Sequence, residues 1–169
     1  MERLKVVGVM GSGQRGHEDL SLGLGEALAR LGVHLLTGGG SGVMDAVSKG
    51  FQSVPERRGL VLGILPGLAG DGVPESPPGY PNEHVELVIR THLPGRGAEG
   101  GSEFSRNSIN IATADAVIVL PGGGGTATEA RLAQQFQKPV IGFGGGGMAQ
   151  GLAQADSLEE VERFLQTVL

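Results

Sequence analysis

No cysteine occurs among the 169 residues, which excludes a disulfide framework, a thiolate zinc site and a cysteine nucleophile. Tryptophan is absent too and aromatics reach only 4%, too few to build a stacking platform for single-stranded nucleic acid. Positive charge is in short supply: 13 Lys+Arg face 18 Asp+Glu, and a net charge of −5 offers no field for gripping a polyanion. No apolar run approaches the roughly 18 residues of a membrane span. The opening residues, Met1-Glu2-Arg3-Leu4-Lys5, lack the apolar core and cleavage site of a secretory signal. A cytoplasmic protein with neither nucleic acid nor membrane as partner is therefore expected. The histidines His17, His34, His84 and His92 are scattered without metal-ligand spacing, so no metal site is expected.

Glycine is what the chain has in excess, 32 of 169, and it falls between well-formed apolar segments rather than in low-complexity tracts. Leu4 to Met10 reads as a strand running into Gly11-Ser12-Gly13, and Glu18 to Leu31 carries Leu20, Leu24, Ala27, Leu28 and Leu31 at helical spacing. Gly32 is placed to close that helix. Val33 to Thr37 begins a second strand that enters Gly38-Gly39-Gly40-Ser41-Gly42, followed by a helix over Val43 to Ser53 and a third strand from Leu60 to Leu65. From Pro66 to Pro81 no period of 2 or 3.6 is visible, and a loop that long commonly serves as a lid. Val85 to Arg90 reads as a strand, Thr91 to Gly101 as a second glycine-rich loop, and Ser102 as the cap of a helix reaching Ala114. Ala116 to Leu120, apolar throughout, reads as a buried parallel strand that feeds Pro121-Gly122-Gly123-Gly124-Gly125-Thr126 and a helix to Phe136. Pro139 to Phe143 gives a further strand, and Ser157 starts a C-terminal helix. The alternation predicts one α/β domain over residues 1–169, a Rossmann-like doubly wound parallel sheet with helices on both faces.

Three glycine turns each follow a strand and precede a helix, so a parallel sheet gathers them on one edge. Glycine there lets backbone approach a ligand, and free N–H groups with the helix dipole favour an anion, most naturally a phosphate. Tight strand-to-helix turns use glycine for geometry alone as well, and only the coincidence of three favours a ligand. Gly11 to Gly16 formally matches G-x-G-x-x-G, but the second strand ends in Leu36-Thr37-Gly38 rather than in the acidic residue that holds a dinucleotide ribose. A Walker loop is excluded because no lysine precedes Thr126. Glu129, about a turn into the helix after the glycine loop, is a candidate base or stabiliser of a cationic centre, or a helix-terminus acid. Arg106 is a candidate bidentate clamp for phosphate, or a solvated surface arginine. Thr126 suits a phosphate contact, a helix cap, or both.

Pro121-Gly122-Gly123-Gly124-Gly125-Thr126-Ala127-Thr128-Glu129 resembles the PGGxGTxxE signature of the Lonely Guy family, whose members include cytokinin-activating phosphoribohydrolases and proteins long labelled possible lysine decarboxylases. The likeness extends to Val9-Met10-Gly11-Ser12, Gly38 to Met44, Gly63-Ile64-Leu65-Pro66 and Lys138-Pro139-Val140, nearly the whole chain. It implies Arg106 and Glu129 as a catalytic pair, with Gly11, Ser12, Gly39, Gly40, Ser41, Gly42 and Pro121 through Thr126 (Gly122, Gly123, Gly124 and Gly125 between them) around the 5′-phosphate. The implied reaction is hydrolysis of the N-glycosidic bond of a nucleoside 5′-monophosphate, by a homodimer, with no cofactor and no metal. Lysine decarboxylation finds no support, since Lys5, Lys49 and Lys138 have no Schiff-base context. At three positions the chain departs from the cytokinin-activating pattern: Asn107, where a lysine is usual, Gly124, where an aromatic is usual, and Thr128, where an acid is usual. There it is more similar to the related branch of molybdenum cofactor carrier proteins, which bind a pterin phosphate without cleaving it. The two readings, phosphoribohydrolase and carrier, share one phosphate crevice.

Overall fold

The computed structural model describes residues 3–68, 75–93 and 105–169. Among these, the chain runs β1 (Val6–Met10), α1 (Glu18–Leu31), β2 (His34–Thr37), α2 (Val43–Gln52), β3 (Val61–Leu65), β4 (Leu87–Arg90), α3 (Arg106–Thr113), β5 (Ala116–Val119), α4 (Gly124–Gln135), β6 (Val140–Phe143), β7 (Gln154–Ala155) and α5 (Leu158–Val168). All strand pairings are parallel and the sheet order is β4-β3-β2-β1-β5-β6-β7. The chain winds outward from β1 to β4, returns to pair β5 with β1, and winds the other way. The reversal between β1 and β5 opens a crevice at their C-terminal ends, the place where sheets of this kind bind ligands.

Strand residues alternate between two apolar layers. Val7, Val9, Leu35, Ala116 and Ile118 join Leu24, Leu28, Val47, Phe51, Val161 and Leu165 beneath α1, α2 and α5. Val6, Met10, Leu36, Val117 and Val119 pack with Ile111, Ala130 and Ala133 from α3 and α4. Because both faces of the strands are covered, β1, β3 and β5 are apolar at nearly every position and buried throughout. The doubly wound fold expected from the alternation is what is found.

Helix α1 spans the expected residues, and Gly32 closes it at φ 79°, a left-handed geometry that donates its N–H to the Ala29 carbonyl. Strand β5 begins where its apolar run does, and the other strands expected from the sequence begin one to two residues later than theirs. The helix expected from Ser102 begins instead at Arg106, with Ser105 as its cap and the Ser105 hydroxyl accepting from the Ser108 N–H at 3.3 Å. Ser102 and the two residues after it lie outside the described residues, as do parts of the expected lid loop, residues 69–74, and of the second glycine-rich loop, residues 94–101. Strand β7 and a short 3₁₀ turn, Met148–Gln150, have no counterpart in the sequence reading.

Candidate functional site

The first and third glycine turns meet at the switch point: the Ser12 N–H donates to the Pro121 carbonyl at 3.0 Å, tying the end of β1 to the end of β5. Beneath the contact lies a cavity of about 370 Å³ whose walls include Gly11, Ser12, Arg106, Gly125, Thr126 and Glu129. Arg106, Glu129 and parts of two of the three expected phosphate-cradle turns, the first and the third, are thus brought together. Helix α4 presents its N-terminus here under a glycine N-cap, Gly123, that supplies no side-chain bond. Its first-turn amides have no partner inside the helix and point outward with the positive end of the dipole. Thr126 is 5% exposed, lines the cavity and makes no capping bond, so the expected cap role is not found.

The second glycine turn does a different job. Gly39, Gly40, Ser41 and Gly42 do not line the cavity; they brace the residues that do. The Ser41 hydroxyl donates to the Gly13 carbonyl at 2.6 Å, and the Val43 N–H, at the start of α2, donates to the Ser12 carbonyl at 2.8 Å. Gly42 adopts φ 70°, ψ −130°, and a Cβ there would overlap the Ser12 carbonyl oxygen. The Gly39 carbonyl accepts from the Asn82 N–H at 2.7 Å and the Gly40 carbonyl from its side-chain amide at 2.6 Å. These bonds anchor the segment carrying Tyr80, which forms part of the cavity wall. Within the third turn, Gly125 faces this cavity, whereas Pro121, Gly122 and Gly124 line a neighbouring one and Gly123 and Thr126 line both.

Arg106 is not a surface arginine. It is 4% exposed, and its Nε is buried without a hydrogen-bond partner among the described residues. Its guanidinium lies against the backbone of Gly38, where a Cβ would collide with it, and 5.9 Å from the centroid of the Tyr80 ring. Its neighbour Asn107, also nearly fully buried, lines the same cavity. Sequence reasoning missed Tyr80 and Met44, both in the wall. Tyr80 is the only tyrosine and falls in the segment read as a lid, a signal too weak to assign it.

Burial pushes the Glu129 carboxyl up from the ordinary glutamate range to about 7, with the positive charge of Arg106 pulling the other way. Among the described residues Glu129 is the one carboxylate in the cavity wall. Thr128, at the position where an acid was the alternative, donates its hydroxyl to the Gly124 carbonyl at 3.0 Å and turns back on its own helix. Near neutrality the described residues of the cavity therefore carry one full positive charge and about half a negative one, in favour of an anion.

The shift fixes a pH dependence. An unfolded chain releases the Glu129 proton near 4.5 and the folded chain near 7, so between these values the folded state holds more proton and stability falls as pH rises. Glu129→Gln is expected to remove this slope, becoming more stable than wild type by about 3 kcal/mol well above pH 7 and equal to it below pH 4.5. Urea unfolding at pH 4.5, 6 and 8 measures it; parallel curves for the two proteins would contradict the buried carboxyl.

Residues 4–167 match the model of the SLOG cluster4 family. An uncharacterized protein of Archaeoglobus fulgidus is 28% identical over 164 residues, covering 96% of this chain and 95% of its own. Among solved structures, the molybdenum cofactor binding protein from the phototrophic bacterium Rippkaea orientalis superimposes with a TM-score of 0.77 at 28% identity, over 99% of both chains. The Moco carrier protein from Chlamydomonas reinhardtii does so with a TM-score of 0.64 at 26% identity, over 98% of this chain and 85% of that one.

Proposed function

The chain belongs to the SLOG cluster4 family, and from that premise we propose that it binds a phosphorylated pterin-type ligand of the molybdenum cofactor class and carries it intact. The observation that carries the reading is the buried Arg106 guanidinium beside the open N-terminus of α4, in a cavity whose one carboxylate among the described residues is half neutralised. That is a built anion site: the fork of Arg106 and the Gly125 and Thr126 amides take phosphate oxygens, and Tyr80 and Met44 offer faces for a ring. The similarity to a molybdenum cofactor binding protein and to a molybdenum cofactor carrier points the same way. The ligand is cargo, and this reading gives the protein no resident cofactor or metal. It includes the homodimer and the cytoplasmic setting expected from the sequence.

One observation favours the second reading, hydrolysis of a nucleoside monophosphate. A carboxyl held near 7 is matched to proton transfer at neutral pH, and Glu129 faces Arg106 in the same cavity. In that reaction water adds to the ribose C1′, its proton passes to Glu129 and on to the base nitrogen, and the C1′–N bond breaks as the neutral base leaves. Glycoside hydrolysis ordinarily employs two carboxylates, one for water and one for the leaving group, and here Thr128 and Asn107 supply neither charge nor a ready proton. The carrier reading is preferred on that ground.

Its test is retention. Molybdenum cofactor released from a molybdoenzyme and mixed anaerobically with the chain should elute with it in gel filtration at one molybdenum per chain, as counted by metal analysis. Elution of all molybdenum with the small molecules would overturn it. The light-scattering mass of the same peak tests the dimer.

A further inference from the structure

Beside the first cavity lies a second of about 350 Å³, and the two share Gly123 and Thr126. Its far wall is a fourth glycine turn, after β6, which the sequence reading did not single out: Gly145 and Gly147 both have positive φ, 89° and 69°. In the backbone pairing of this turn the Gly145 and Gly147 carbonyls accept, but the N–H groups of these two residues donate to no backbone carbonyl. The Gly146 N–H between them donates to the Phe143 carbonyl at 3.2 Å, so the turn offers two separate free amides, each able to take an anion oxygen. The near wall is the N-terminus of α4, where Gly124 faces this cavity as Gly125 faces the first. Thr126, nine-tenths buried and on both cavities, carries a hydroxyl with no hydrogen-bond partner among the described residues. Among the described residues no charged side chain lines the second cavity, and its rim is Met148, exposed, and Gln150, a soft face and an amide.

We infer that the two cavities are lobes of one site, and that the site takes a pyrophosphate-linked, dinucleotide-class ligand whose linkage crosses over Gly123 and Thr126. The inference rests on the phosphate reading of the first cavity and specifies its ligand further. One phosphate lies between Arg106 and the Gly125 amide, the next between the Gly124 amide and the Gly145–Gly147 turn, and a second ring system rests on Met148. A monophosphate fills one lobe and leaves the other amides unused.

The test uses the whole chain with AMP and diadenosine 5′,5′-pyrophosphate, one half and both halves of the same molecule, followed by calorimetry and by amide chemical shifts. AMP is expected to move the Gly11–Gly13 and Thr126 amides; the pyrophosphate is expected to move Gly145 and Gly147 as well and to bind at least tenfold tighter. Ala149→Glu, an exposed position on the second cavity, should cancel that gain by repulsion, and Ala149→Gln should keep it. Equal affinity for the two probes with unmoved Gly145 and Gly147 amides would overturn the second lobe and leave the first reading standing. No binding of either probe, nor of inorganic phosphate, would overturn both.

Discussion

Arg106→Ala is expected to weaken binding of the phosphorylated ligand about a hundredfold while leaving the melting temperature within a few degrees of wild type. A charge-assisted, two-pronged bond from a buried guanidinium to phosphate is worth on the order of 3 kcal/mol, and about 1.4 kcal/mol is a factor of ten in affinity. Stability is spared because the protein gives Arg106 few bonds to lose: its Nε has no partner among the described residues, and the Tyr80 ring offers only a face. Glu129, relieved of the nearby positive charge, titrates higher still and stays neutral, so no bare buried charge remains. Arg106→Lys keeps the charge but not the fork, and is expected to recover about a tenth of the affinity. Calorimetric titration with the ligand checks both variants. A loss below threefold in Arg106→Ala would mean that the phosphate is held elsewhere.

Gly42→Ala is expected to cost about 3 kcal/mol of stability, a fall of roughly 6–12 °C in melting temperature, and to weaken ligand binding with it. The residue combines a backbone conformation that L side chains rarely adopt with direct backbone contact against Ser12. Accommodating the methyl group means moving the Ser12 carbonyl, which breaks its bond from the Val43 N–H and loosens the turn joined to Pro121. Ser41→Ala removes one brace without strain and serves as the mild control. Calorimetry or circular dichroism melting measures both; a Gly42→Ala protein melting with wild type would show that the turn relaxes freely.

Elements dictated by local chemistry were legible in the sequence. Helix α1, with its apolar stripe and closing glycine, and the apolar strand β5 are examples, and their order led to the doubly wound sheet and its switch point. Arg106 and Glu129 were legible as a pair through the family motif, and the cavity that joins them followed from strand order.

What escaped reading depends on tertiary placement. A Gly-rich turn looks the same whether its amides face a ligand or its carbonyls brace a neighbour, so Gly39 and Gly40, which anchor Asn82, were indistinguishable from Gly125. Strand β7, two residues long, exists only because β6 offers it an edge. The burial that lifts Glu129 and hides Arg106 is a property of the packed sheet and not of either residue's neighbours in sequence.

The central claim is that the cavity holds its ligand without cleaving it. The most direct measurement incubates the chain for hours with a panel of nucleoside 5′-monophosphates, AMP first, and with bound molybdenum cofactor, then recovers and identifies every ligand by chromatography. The account predicts that the cofactor returns unchanged and that no free base appears above the level without protein. Release of base by wild type over many turnovers, lost in both Arg106→Ala and Glu129→Gln, would contradict it and make the pair catalytic.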